Sequence, residues 1–246
     1  MRLSEHISMV ASGNNGLALT HALDCNAYLL DSGDGLILID AGVGMDNEAI
    51  VREIERDGYR VEDIRYIVIT HAHADHAGGV PYFAERSGAE ILSTAHEAEV
   101  LADRELMEST MTDYIAVGFY PEKYCFEVIP SANALNDGDI LELGNLKLKI
   151  LEVPGHTGGC LCIYGEIDGK KTLICGDVVF FDGYINLISI FDVNLLSYKK
   201  SLLRLDELEI DTLLPGHRQP LMNRGKEAVT KAADAFRLYS VPPSIC

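Results

Sequence analysis

No run in the sequence approaches the roughly 18 consecutive apolar residues that a bilayer-spanning helix needs. Positive charge is scarce: 20 Lys and Arg stand against 38 Asp and Glu, for a formal net charge of −18. That balance repels phosphate backbones and anionic lipid heads, so it argues against nucleic-acid and membrane partners. The opening residues, Met1-Arg-Leu-Ser-Glu-His6, lack a basic stretch leading into an apolar one. The expectation is a soluble, cytoplasmic protein with nothing removed. There is no Cys-x-x-Cys pair; the six cysteines (Cys25, Cys125, Cys160, Cys162, Cys175, Cys246) are scattered. In a chain of 246 residues they read as reduced core thiols rather than a disulfide framework. With 48% hydrophobic content, the chain can bury a sizeable core without staples.

What the sequence does have is concentrated in Tyr66-Ile-Val-Ile-Thr-His-Ala-His-Ala-Asp-His-Ala-Gly-Gly79. The β-branched run Ile67, Val68, Ile69 reads as a buried strand. It stops at His71, His73, Asp75 and His76, three imidazoles and a carboxylate within six residues. Such crowding suits neither a solvated surface nor an apolar core. It makes sense where a cation compensates desolvated lone pairs. On a tight strand-to-helix turn, His71 and His73 can aim one way while Asp75 and His76 aim another, which points to two ions. Neutral imidazole with carboxylate suits Zn²⁺ first, and Fe or Mn are also compatible.

The rest of the chain reads as an α/β protein. Asn26–Leu30 and Leu36–Ile39 form a hairpin about Ser32-Gly-Asp-Gly35, ending at Asp40. A helix follows over 46–58, then the strand 65–70. Pro81–Ser87 is helical and Glu90–Leu92 a short strand. The segment 95–124 is weakly helical, with Met107, Met111 and Tyr114 at helical spacing, then Gly118, Phe119, Tyr120, Pro121 and Tyr124. It is either plain packing or a helical lid inserted over a substrate. Strands follow at 141–143 and 146–151. The tight loop Val153-Pro-Gly-His156-Thr-Gly-Gly159 leads to a second hairpin over 160–175, ending in Gly176-Asp177. An amphipathic helix over 195–208 (Leu195, Leu196, Leu202, Leu203, Leu205), a strand 211–214, Pro215-Gly-His217 and a helix 225–238 complete the chain.

Hairpin, helix and strand thus occur twice, once ending at His71 and once at His217. Two such sheets packed face to face, with helices outside, would bring both polar loops to one cleft. The fold class expected is a four-layer αββα sandwich of two mixed sheets, as a single domain spanning 1–246.

Taken together, Thr70-His-Ala-His-Ala-Asp-His76, Pro154-Gly-His156-Thr-Gly, Gly176-Asp177 and Pro215-Gly-His217 resemble the metallo-β-lactamase superfamily over nearly the whole chain. The resemblance implies that His71, His73 and His156 hold one metal, that Asp75, His76 and His217 hold a second, and that Asp177 bridges them. It implies two divalent ions sharing a hydroxide that attacks a carbonyl, with Asp75 accepting or orienting the proton. No Gly-x-Ser-x-Gly turn competes for the role of nucleophile. Thr70 and Thr157 are expected to orient neighbouring histidines, and Asp40 either accepts an N–H from one of them or serves a turn. His6 and His21 fall outside any ligand pattern. His96 lies at the start of the 95–124 segment.

Departures from family patterns narrow the branch. Asp177 stands where the commonest zinc β-lactamases carry cysteine, against antibiotic hydrolysis. The run Val178-Val-Phe-Phe-Asp-Gly-Tyr-Ile-Asn-Leu187 lacks the Gly-rich, Arg-containing loop of glyoxalase II-like thioesterases and persulfide dioxygenases. Phe180 falls near the tyrosine of quorum-signal lactonases, and Tyr184 is a substitute. The short span from Asp177 to His217 leaves no room for the inserted domain of nucleic-acid-processing members. The expected activity is hydrolysis of a small ester, lactone or thioester, with Phe180, Tyr184, Tyr114 and Tyr120 contacting substrate beneath segment 95–124 and loop 178–192. A mononuclear iron persulfide dioxygenase and a low-turnover ligand-binding protein are the alternatives. The expected partner is a small molecule; homodimerisation is left open.

Overall fold

The structure, a computed structural model, describes residues 1–188 and 192–245. Its strands are β1 (Ile7–Ala11), β2 (Ala27–Asp31), β3 (Leu36–Ile39), β4 (Ile64–Val68), β5 (Glu90–Thr94), β6 (Asn133–Leu135), β7 (Ile140–Leu143), β8 (Leu146–Glu152), β9 (Leu161–Ile167), β10 (Lys170–Gly176) and β11 (Thr212–Pro215). Its α-helices are α1 (Asn47–Arg56), α2 (Ala74–Ala77), α3 (Val80–Ser87), α4 (Ala95–Ala102), α5 (Arg104–Ala116), α6 (Leu195–Leu205) and α7 (Gly225–Arg237). The strands form a six-stranded sheet, β1-β2-β3-β4-β5-β6, and a five-stranded sheet, β11-β10-β9-β8-β7. In the first, β1 to β3 pair antiparallel and β3 to β6 parallel. In the second, only β10 and β11 run parallel.

Alternation along the strands decides the layering, because successive side chains face opposite sides of a sheet. Tyr28 and Leu30 of β2 and Ile37 and Ile39 of β3 meet Leu148 and Ile150 of β8 and Ile163 of β9 between the sheets. Leu29 and Leu38 point the other way, where they pack with Ile50 and Ile54 of α1 and Phe83 of α3. On the far face of the second sheet, Cys162 and Leu173 pack with Leu202 and Leu205 of α6 and Val229 and Phe236 of α7. Three apolar layers separate four structural ones: this is the αββα sandwich expected from the sequence. The duplicated unit is present as β2-β3-α1-β4 and β9-β10-α6-β11, each an antiparallel hairpin followed by a parallel strand.

Two strands lack a counterpart in the sequence reading. β1 extends the first sheet beside β2, and β6 adds three residues beside β5. The inner face of α6 also differs from the expected leucine stripe. Tyr198, Ser201, Leu202 and Leu205 face inward, whereas Leu196 is 73% exposed. The helix begins at the Asn194 cap, whose side chain accepts from the backbone N–H groups of Leu196 and Ser197, and that start sets the phase of the buried stripe. Among the described residues, no helix is long and apolar enough to cross a membrane. Five free cysteines are present there, four of them buried, in line with core thiols; Cys246 lies outside the described residues.

Candidate metal centre

The first sheet delivers its ligand candidates where β4 ends. The chain turns through His71 and His73 into the short helix α2, which carries Asp75 and His76. The second sheet supplies His156 from the loop between β8 and β9, Asp177 just past β10 and His217 just past β11. Backbone bonds tie the loops across the seam: Leu161 N–H donates to Thr70 O at 3.0 Å, and Asn26 N–H to Gly216 O at 2.6 Å. The Asn26 and Tyr28 side chains also donate to Pro215 O, at 3.0 and 2.8 Å, which fixes the turn before His217.

All seven residues converge. His73 Nδ1 lies 3.1 Å from both His71 Nε2 and His156 Nε2. Asp75 Oδ2 lies 3.1 Å from His217 Nε2 and 3.6 Å from His76 Nε2. Asp177 sits between the groups: Oδ1 is 3.4 Å from His76 Nε2, and Oδ2 is 3.4 Å from His217 Nε2 and 3.8 Å from His156 Nε2. His71, His73 and His156 form one cluster of metal-ligating size, and Asp75, His76 and His217 another.

Neighbouring groups orient the rings. Asp40 leaves β3 at φ 57°, a left-handed conformation that Asp tolerates better than most side chains. Its carboxylate accepts from Thr70 N–H, from Thr70 Oγ1 and from His76 Nδ1, each at 2.8 Å. Thr70 Oγ1, having donated to Asp40, accepts from His71 Nδ1 at 3.1 Å. His156 Nδ1 donates to Asn186 O at 3.0 Å. His71 and His156, kept neutral by burial, then carry the proton on Nδ1 and leave the Nε2 lone pair for the cluster. At His76, by contrast, burial is outweighed by Cys25, Asp75 and Asp177, which raise the ring well above the ordinary histidine range. The Asn186 side chain donates to Asp177 Oδ2 at 2.8 Å.

Glu97 is a member that sequence reasoning missed. It is 1% exposed and accepts from Ala72 N–H at 2.7 Å, Gly159 N–H at 2.9 Å and Thr157 Oγ1 at 2.6 Å. One carboxylate thus joins the His71–His76 turn to the His156 loop. The signal available was Thr94-x-x-Glu97, which reads as a capping box. Thr94 does cap α4, accepting from Glu97 N–H, but the carboxylate reaches across the seam instead.

Charge divides the clusters. Burial, with neighbouring imidazoles, pushes His71 well below the ordinary histidine range and His73 down to about 3; burial also lowers His156. These three rings are neutral, as metal ligands must be. Burial opposes protonation of His217 too, but Asp177 and Asp75 outweigh it and raise the ring to about 9. Burial likewise works against ionising Asp177, yet His217 and His76 hold it well below the usual carboxylate range.

The residues fit divalent cation binding. His76 Nε2 and Asp177 Oδ1 are buried with no hydrogen-bond partner, an expensive arrangement unless a cation takes both lone pairs. A single proton on His73 Nδ1 can satisfy only one of the two imidazole nitrogens facing it. Tetrahedral Zn²⁺ with bonds of about 2.0–2.1 Å separates its ligand atoms by roughly 3.3 Å, close to the spacings above. Gly216 keeps the space open: a Cβ there would lie 2.4 Å from Asp177 Oδ1 and 2.6 Å from His76 Cε1.

A cavity of about 280 Å³ opens onto the clusters, with His73, Asp75, Asp177 and His217 at its base. Tyr114, Phe119 and Tyr120 line one wall, Asn14, Asn15 and Leu23 another, and no Lys or Arg is among the lining residues described. Tyr114 and Tyr120 thus line the cavity. Phe180 does not: it is fully buried, with its ring 6.3 Å from that of His217. The run Val178-Val-Phe180 joins the core because Cys175 to Phe180 is buried continuously. Tyr184 also stays off the cavity and lies beneath the Arg218 guanidinium. Of the loop 178–192, residues 189–191 lie outside the described residues, and Ile188 reaches the cavity. His96 does not line the cavity; its Nε2 lies 3.1 Å from Asp192 Oδ2.

Comparisons with known proteins agree with this geometry. Acyl-coenzyme A thioesterase MBLAC2 of Gallus gallus is 28% identical over 208 residues, covering 78% of this chain and 72% of the relative. Hydroxyacylglutathione hydrolase of Hahella chejuensis is 29% identical over 206 residues, covering 83% of this chain and 65% of the relative. Among solved structures, a metallo-beta-lactamase family protein from Thermus thermophilus superposes with a TM-score of 0.72 over 97% of this chain and 82% of its own, at 23% identity, a likeness of fold. Residues 22–217, which run from just before β2 to the last ligand candidate, match the metallo-beta-lactamase superfamily, and the chain belongs to that superfamily.

Proposed function

We propose that this chain is a dinuclear metallohydrolase that cleaves a small ester, lactone or thioester with an uncharged, apolar acyl group. His71, His73 and His156 would hold one divalent cation, Asp75, His76 and His217 the other, and Asp177 would contact both. The observation that carries this reading is the position of Asp177, buried between the two clusters with one oxygen unpartnered. Zn²⁺ is the ion that the imidazole and carboxylate donors fit first. Divalent cations bound there would lower the pKa of water and polarise a carbonyl oxygen.

The chain's own groups supply the rest. Asp75, which lines the cavity, would take a proton from the attacking water and pass it to the leaving group. Water adds to the acyl carbon, and the C–O or C–S bond breaks. The products are a carboxylic acid and an alcohol or thiol. Tyr114, Phe119 and Ile188 offer apolar surface to the acyl chain. With no Lys or Arg among its described lining residues, the cavity offers a second carboxylate on that chain no cationic partner there. Thioesters have the added support that one relative is an acyl-coenzyme A thioesterase. A bulky leaving group would lie at the mouth, since the cavity holds little beyond an acyl chain.

A panel of acyl esters, lactones and thioesters tests this, using protein purified without added metal. The expected result is turnover of at least one class, abolished by chelation and restored by Zn²⁺. Oxygen consumption with a persulfide, or no hydrolysis across the panel at full metal loading, would contradict it.

A further inference from the structure

The second cluster has a partner from outside the ligand loops. Tyr120 O–H donates to Asp75 Oδ1 at 3.2 Å, while Asp75 Oδ2 faces His217 and His76. The two carboxylate oxygens are therefore divided between the tyrosine and the cluster. Tyr120 is itself held in place. Its ring stacks on Tyr124 (centroids 4.9 Å apart, planes 22° apart) and meets the edge of Tyr114 at 5.8 Å. The Tyr124 hydroxyl donates to Val43 O at 2.9 Å, which anchors the stack to the first sheet's side of the molecule. Tyr114 in turn lies edge-on to His73, with centroids 6.0 Å apart.

We propose that Tyr120 is a positioning residue for Asp75, and that the aromatic segment 114–124 thereby sets the cation affinity of the Asp75, His76 and His217 cluster. The proposal rests on the two-cation reading above. Its physical basis is that a carboxylate ligand free to rotate must be ordered when it binds. A donor on its outer oxygen orders it beforehand. Removing such a partner typically costs about 10- to 100-fold in metal affinity.

The test is an equilibrium Zn²⁺ titration of the full chain against a competing chelator, with Tyr120→Phe and Tyr124→Phe beside the unaltered protein. Tyr120→Phe keeps the stacked ring and deletes only the hydroxyl. The expected result is two binding equivalents in the unaltered protein, with one step weakened about 10- to 100-fold in Tyr120→Phe and the other unmoved. Tyr124→Phe, whose hydroxyl anchors the stack but donates to no ligand, is expected to weaken the same step by clearly less than Tyr120→Phe does. Two unchanged steps in Tyr120→Phe would overturn the proposal alone. Equal weakening in both variants would also overturn it, since that is the signature of general loosening. A single binding equivalent in the unaltered protein would overturn the two-cation reading, and this inference with it.

Discussion

At the scale of residues, the centre depends on Asp177 more than on any other side chain. It faces His76, His156 and His217 together, and Asn186 holds the oxygen that two of them share. On the two-cation reading proposed above, Asp177→Ala would leave each cluster a ligand short and remove the negative charge between the ions. The expected outcome is loss of one metal per chain by elemental analysis and loss of most hydrolytic activity. Two metals retained per chain would contradict the shared role. The candidate ligands were legible in the sequence because four of them fall within six residues and the others sit in short Gly-flanked turns. Their supports were less so. Asp40 and Thr70 were visible as strand-end neighbours. Glu97 and Asn186 were not, because their partners are distant in sequence and a capping box or a loop asparagine explains each locally. Phe180 shows the converse error. Its place near the tyrosine position of quorum-signal lactonases suggested substrate contact, but a matching position along the chain does not say which face a side chain takes.

At the scale of elements, the two hairpin-helix-strand units do most of the positioning. A parallel strand beside a hairpin places three strand ends at one edge, and the seam between the sheets lines up the two edges. The apolar layer between the sheets, with Ile150 fully buried against Tyr28, Ile163 and their neighbours, therefore holds the ligand loops in register. Ile150→Ala is expected to cost about 2–5 kcal/mol of stability, read as a lowered urea midpoint with an unchanged slope. A cost below about 1 kcal/mol would show that the seam is not tightly packed. These units were legible because alternation and turn chemistry agree along them. β6 was not, since Asn133–Leu135 is short and largely exposed and owes its strand form to pairing with β5. β1 was missed although every residue in it is buried and the turn residues Ser12-Gly-Asn-Asn-Gly16 follow it: five residues buried on both faces show no alternation to read.

At the scale of the whole molecule, a chain with a net charge of −18 buries the carboxylates of Asp40, Asp177 and Glu97 around the ligand loops. Gathering them in a buried region is costly unless positive charge is bound among them. On the proposed reading, two divalent cations would answer that cost locally, linking the electrostatics of the whole chain to the chemistry of one cleft. The overall negative field attracts cations and disfavours polyanionic partners. The most direct measurement is therefore anomalous diffraction at a metal absorption edge, from crystals of protein purified without added metal. The expected result is two peaks about 3.5–4 Å apart, one among His71, His73 and His156, the other among Asp75, His76 and His217, with Asp177 between them. One peak, or peaks away from these side chains, would contradict the dinuclear centre.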